Sequence, residues 1–199
     1  MVKIQGKSKT VPGFIRPMVS KTVAELPTGC DWVYEVKRGG QRTIAVKDGR
    51  RVKLYDEHGH RLECPSVEEK LRHVPLETVV IDGEIISINN DESDDSDSGQ
   101  DDRQWQLFAW DLLHLNGKDM TTQPVEQRKQ RLCSLTLDSD VLFSPSLNCE
   151  PAQLLEEVGR LSLEGVVAKR KGSIYESGKC TGSWMRLPVR STVAARKAD

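Results

Sequence analysis

Residues 42–55 read RTIAVKDGRRVKLY. Two runs of β-type residues, Arg42–Lys47 and Arg51–Tyr55, flank Asp48-Gly49-Arg50. The Asp-Gly pair predicts a type I′ hairpin turn, because that turn needs positive φ at its centre. A hairpin makes at least part of the sheet antiparallel. Upstream, Trp32, Tyr34 and Val36 fall on one strand face and Val33, Glu35 and Lys37 on the other, until Gly39-Gly40 interrupts the run. Downstream, Ser66-Val67-Glu68-Glu69 after Pro65 predicts a capping box opening a helix to about Val74. Thr78–Ile88, TVVIDGEIISI, predicts a strand pair or one bulged strand around Gly83. Gln104–Leu113, Leu163–Lys169 and Ser183–Leu187 predict further strands, and Pro124–Leu135 and Glu150–Leu161 predict helices. Strands and helices are mixed and no internal repeat occurs, so the expected class is α+β rather than a doubly wound parallel sheet.

Composition narrows the function classes. Of the 199 residues, 37% are apolar and 30% charged, and no apolar run approaches the roughly 18 residues of a membrane span. The five cysteines, at 30, 64, 133, 149 and 180, include no CxxC pair, which argues against a disulfide framework and a zinc site. MVKIQGKSKTVPGF lacks an apolar signal core, so a reducing cytoplasm is the expected compartment, without membrane partners. The net charge of −1 conceals a split. Residues 91–102, DESDDSDSGQDD, hold seven acids and no base, and the remainder carries 29 basic against 23 acidic side chains, a net of +6. The strip is expected to be a disordered loop, and the basic body suits a polyanionic partner. Residues 1–11 and 194–199 are expected to be tails around a domain spanning 12–193.

Four positions carry candidate chemistry. Lys37 sits at a strand end beside two glycines, which let a ligand approach the backbone. Asp82 and Glu84 lie inside an apolar strand and Glu164 opens EGVVAKR. A carboxylate in a buried run needs a cation, a metal or a ligand hydroxyl. Asp111, beside Trp110, reads as a core carboxylate satisfied by one partner.

In order, VYEVKRGGQR, VVIDGEII, LFAWDLLHLNG, EGVVAKR and SGKCTGSWMRLP resemble the sequential nucleotidyltransferase motifs of ATP-dependent DNA ligases, and the ligase domain of bacterial end-joining ligases in particular. The resemblance runs from about Phe14 to Val193. It implies an ATP-grasp-like adenylation (nucleotidyltransferase) domain of largely antiparallel sheets with flanking helices. In that family a lysine attacks the α-phosphorus of ATP, and the AMP then passes to the 5′-phosphate of a DNA nick. Lys37 matches the nucleophile. Glu35, Arg42, Glu84, Trp110, Lys169 and Arg186 match nucleotide-binding positions, with Trp110 as the adenine-stacking aromatic. Glu164 and Glu84 match metal positions for Mg²⁺ or Mn²⁺. The resemblance also implies nicked duplex DNA as substrate, a separate OB-fold or repair protein as a further partner, and nucleoid association in a bacterium. Strict alternation puts Glu164 and Lys169 on opposite faces, so either Glu164 precedes the strand or a bulge intervenes.

The sequence also departs from the family. The motif K-x-D-G-x-R reads Lys37-Arg38-Gly39-Gly40-Gln41-Arg42, without its Asp. Glu57 stands where an Arg is expected to reach the nick phosphate. Arg186 and Pro188 replace two lysines of the last motif, and no OB-fold domain is expected within these residues. Two readings follow: an adenylating DNA ligase domain, weakened in its later steps, or a degenerate nucleotide- or DNA-binding module without turnover. An RNA ligase or capping-type nucleotidyltransferase is a more distant third.

Overall fold

The computed structural model describes residues 11–88, 104–137 and 139–189. The acidic strip, most of the expected N-terminal tail and the C-terminal tail lie outside them. The larger sheet contains β3 (Gln41–Asp48), β4 (Arg51–Tyr55), β5 (Arg61–Leu62), β6 (Thr78–Ile88), β7 (Gln104–Leu115), β8 (Lys118–Asp119) and β9 (Leu142–Phe143). Its order is β5-β4-β3-β6-β7-β8, with β9 paired in parallel to β7. The smaller sheet has the order β1-β11-β10-β2, from β1 (Lys21–Thr22), β2 (Trp32–Lys37), β10 (Gly165–Arg170) and β11 (Trp184–Pro188). Apart from β9 and the β1–β11 pair, neighbours are antiparallel. The α+β expectation holds. No helix among the described residues is long and apolar enough to cross a membrane.

Three apolar clusters hold the layers together. Met18, Ile44, Val46, Val80, Leu113, Tyr175 and Trp184 fill the space between the two sheets. Helices α1 (Pro65–His73) and α2 (Val125–Thr136) cover the other face of the large sheet, where Leu71 and Leu132 join Leu54, Ile81 and Leu112. Helix α3 (Pro151–Arg160) covers the small sheet through Val158, which meets Tyr34, Val166 and Ala168. The alternation read over residues 32–37 is therefore real: Tyr34 and Val36 face the α3 side, while Glu35 and Lys37 face the space between the sheets.

Two local expectations are corrected. The hairpin turn is centred on Gly49-Arg50, since Asp48 pairs with Arg51 across β3–β4 and with Thr78 across β3–β6. That second pairing keeps Asp48 in the strand. Gly49 has a φ of 58° and Arg50 is not left-handed, so the turn has the pattern of type II′, with glycine first. The capping box does not form. Helix α1 starts at Pro65, with Cys64 as N-cap and no side-chain cap. Proline's fixed φ is already helical and its missing N–H would be unpaired there anyway, so it takes the first helical position. Glu69, the carboxylate of the expected box, instead pairs with Arg72, and Glu68 accepts from Arg61 at 2.6 Å and Arg72 at 3.1 Å.

Strand β6 is single, and β7 carries an extra residue opposite it twice, Leu113 at Val80-Ile81 and Trp110 at Asp82-Gly83. Gly83 faces Ala109 and Asp82 faces Asp111, so Trp110 is the extra residue of a bulge. A Cβ on Gly83 would stand 2.4 Å from the Phe108 carbonyl oxygen. Glycine at 83 thus lets the bulged strand close in, and Trp110 faces the gap between the sheets by ordinary alternation from Leu107 and Ala109 on the helix side.

Candidate active site

A cleft of about 290 Å³ opens between the two sheets. From the small sheet it is lined by Glu35 and Lys37 of β2, Val167 and Lys169 of β10, and Trp184 and Arg186 of β11. From the large sheet come Arg42 of β3, Glu84 of β6 and Trp110 of β7. All seven residues expected to bind nucleotide or form the covalent bond converge there. Glu164 does not line it but reaches it through an ion pair with the Lys37 ammonium.

The register explains the convergence. Val167 faces Glu35 on one side and Arg186 on the other, so the cleft-facing residues of β2, β10 and β11 form rows across the sheet. On the large sheet Arg42 sits opposite Glu84. Glu164 precedes β10, which starts at Gly165, and this resolves the alternation conflict with Lys169. Its N–H donates to the Lys37 carbonyl at 3.1 Å, and its own carbonyl accepts from Val189 at 2.9 Å. Gly39, which replaces the expected Asp, has a φ of 92°, and a Cβ there would lie 2.7 Å from the Glu164 carboxyl group. The Glu164 side chain occupies the space that a side chain at 39 would fill.

Each wall is held by buried ion pairs. Asp82, fully buried, accepts from Arg42 Nε at 3.1 Å, from Arg42 Nη2 at 2.7 Å and from the Tyr175 hydroxyl at 2.7 Å. Burial works against the Arg42 charge, but Asp82 more than offsets it and holds the guanidinium above its usual range. Burial, reinforced by Asp82, pushes the Tyr175 hydroxyl well above its ordinary value. Glu35 binds Lys169 at 2.8 Å and Lys129 at 2.9 Å. Burial raises the Glu35 carboxyl, and the two lysines together bring it below its ordinary value. Glu35 thus lines the cleft but spends its oxygens on lysines.

Glu84 is different. One oxygen accepts from the Gly40 N–H at 2.9 Å, while Oε1 is buried with no hydrogen-bond partner. Burial pushes this carboxyl up despite the Gly40 N–H and the nearby Lys37. The indole N–H groups of Trp110 and Trp184 are likewise buried and unpaired. Three residues lining one cleft each carry an unsatisfied polar atom, which marks a site built for a polar ligand. Among the described residues no group of three or more His, Cys, Asp or Glu could hold an ion. Glu84 and Glu164 offer two hard oxygen donors, a set that suits Mg²⁺ when substrate phosphates complete the shell.

Asp111 is a core carboxylate, as expected, held by Arg128 at 2.7 and 2.9 Å with both side chains fully buried. Sequence reasoning missed two residues. Lys129 and Tyr175 gave no local signal, because their partners Glu35 and Asp82 lie about ninety residues away in the chain. Glu57 lines the cleft beside Arg42, a position visible in sequence only as a departure.

The family model described as "ATP dependent DNA ligase domain" matches residues 16–187. The multifunctional non-homologous end joining protein LigD of Pseudomonas aeruginosa is 30% identical over 92% of this chain and 23% of its own length. The SPbeta prophage-derived DNA ligase-like protein LigB of Bacillus subtilis is 25% identical over 87% of this chain and 67% of its own. Among solved structures, the ligase domain of Mycobacterium tuberculosis LigD superposes with a TM-score of 0.72, at 24% identity, over 86% of this chain and 58% of that one. A mycobacterial DNA ligase D complexed with ATP and MES gives 0.70 at 23% identity, over 87% and 60%. At these identities the structural matches show the fold. The chain spans less than a quarter of the P. aeruginosa protein and about three fifths of the two matched structures.

Proposed function

The chain belongs to the ATP-dependent DNA ligase domain family, and from that premise we propose that it forms a lysyl-AMP on Lys37 and transfers the AMP to nicked duplex DNA. The carrying observation is the cleft itself. Lys37 lines it with its ammonium paired to Glu164, and the lining residues Glu84, Trp110 and Trp184 each carry a buried polar atom without a partner.

Lys37 Nζ loses two protons to solvent by way of the adjacent Glu164 carboxylate and bonds to the α-phosphorus of ATP, and the P–O bond to pyrophosphate breaks. Trp110, on the lining of the cleft, stacks on adenine. Arg42, held flat by Asp82, and Lys169, held by Glu35, supply positive charge to the phosphates. Glu84 and Glu164 would hold a Mg²⁺ or Mn²⁺ ion, which neutralises phosphate charge when bound. In the second step a 5′-phosphate oxygen takes the adenylyl group and the P–N bond breaks. In the third the 3′-hydroxyl displaces AMP.

Residues 12–193 act in this reading as one adenylation domain, working in the cytoplasm on DNA repair or end joining. A separate OB-fold or repair protein supplies further grip on the duplex. Exposed Glu57 at the cleft repels DNA phosphates, so sealing is slower than self-adenylation.

The test is incubation with α-labelled ATP and Mg²⁺ or Mn²⁺, then a denaturing gel. Label should stay on the protein, vanish in Lys37→Ala, and chase onto a 5′-phosphorylated nick. ATP binding without label under either metal would favour the non-catalytic binding module.

A further inference from the structure

Two adjacent residues of α2 reach into different sheets. Arg128 grips Asp111 on β7 of the large sheet, and Lys129 grips Glu35 on β2 of the small one. Lys129 is almost fully buried and does not line the cleft. Its ammonium also donates to the Ser144 carbonyl and lies 4.8 Å from the centre of the Phe143 ring. Glu35 Oε1 takes Lys129 and the Ser146 hydroxyl, each at 2.9 Å, which leaves Oε2 for Lys169 at 2.8 Å. The Lys169 ammonium then sits 4.1 Å from the centre of the Trp184 ring, on the lining of the cleft.

Two ammonium groups thus share one carboxylate. Were Lys129 absent, Glu35 and Lys169 would close into a neutral buried pair. With Lys129 in place, one positive charge is left over beside the cleft, where it favours an anion. We propose that Lys129 is a positioning residue that acts through Glu35 to keep Lys169 turned toward the cleft and to leave a net positive charge there for phosphate. The role of Lys169 in that statement rests on the adenylation reading above; the linkage from Lys129 through Glu35 does not.

The test compares Lys129→Met and Lys129→Arg in the full chain, alone and in a Lys169→Met background. Lys129→Met should raise the KM for ATP in lysyl-AMP formation by about tenfold, the scale of one hydrogen bond to a charged group. Lys129→Arg should restore most of the loss. In the Lys169→Met background the same substitution should add less than about twofold, because the residue it acts through is gone. A merely structural role would multiply the two effects. A second readout needs no nucleotide: the ¹⁵Nζ resonance of the Lys169 ammonium by NMR should move or broaden in Lys129→Met and return in Lys129→Arg. If Lys129→Met does not fold, Ser146→Ala loosens the same carboxylate and should shift KM and the Lys169 resonance in the same direction. An unchanged KM with an unchanged Lys169 resonance, or multiplicative effects in the double variant, overturns the proposal. Failure of wild-type protein to bind or react with ATP would sink the adenylation reading instead, and the Lys169 resonance would still decide the role of Lys129.

Discussion

Replacing Asp82 by Ala tests whether the large-sheet wall of the cleft is held by a buried charge. Asp82 is fully buried and accepts three hydrogen bonds, two of them from Arg42. Removing one member of a buried ion pair costs about 3–5 kcal/mol, because the remaining charge has lost its counter-charge. The Arg42 side chain is 20% exposed, so it can turn partly to water, and the lower end of about 3 kcal/mol is expected. Tyr175→Phe removes one hydrogen bond to the same carboxylate and strands the Met18 N–H, which the hydroxyl accepts at 2.9 Å, and should cost about 1–2 kcal/mol. With a urea m-value of about 2 kcal/mol/M, the midpoints should fall by roughly 1.5 M and roughly 0.5–1 M respectively. Equilibrium urea unfolding followed by tryptophan fluorescence reads both. The freed Arg42 should also weaken ATP binding in Asp82→Ala, while Tyr175→Phe keeps it. An Asp82→Ala midpoint within error of Tyr175→Phe would refute the argument, since it would mean that the Arg42 pair contributes nothing net.

Three more outcomes are expected. Trp110→Ala should weaken ATP binding by roughly 1–3 kcal/mol, the range for base–aromatic stacking; calorimetric affinity equal to wild type, with the fold intact, would leave Trp110 a packing residue only. The folded-state Glu84 carboxyl lies above its ordinary value of 4.5, so the folded state binds the proton more tightly than the unfolded one. The Glu84 contribution to stability should therefore fall as pH rises from about 4.5 through the folded value; the melting temperature of Glu84→Gln relative to wild type should rise over that range and exceed wild type at neutral pH, and a difference that stays constant from acid to neutral pH would contradict it. Deleting residues 91–102, whose seven acids turn the net charge from −1 to +6, should tighten duplex DNA binding at low salt and lose the advantage as salt rises. Unchanged affinity at low salt would place the strip away from the DNA face.

Much of this protein was decided by short-range pattern. Alternation over residues 32–37 placed Glu35 and Lys37 on one face and Tyr34 and Val36 on the other, because side chains of any strand alternate whatever it pairs with. The order of the motifs likewise pointed to Arg42, Glu84, Trp110, Glu164, Lys169 and Arg186 before their positions in space were known. What local pattern could not supply is register. Asp111 comes opposite Asp82 because β7 carries one residue more than β6 opposite Asp82-Gly83, and such a bulge depends on both strands together. The turn moved one residue along because pairing with β6 holds Asp48 in its strand, and the helix began at Pro65 because backbone geometry outweighed a side-chain cap. The buried charge pairs lay furthest from view. Asp82 is inert until β3 brings Arg42 beside it, and Glu35 is a lone acid until α2 delivers Lys129 and β10 delivers Lys169. A buried charge takes its meaning from the counter-charge that folding places within about 3 Å of it. That partner can sit anywhere in the chain, so only the tertiary structure names it.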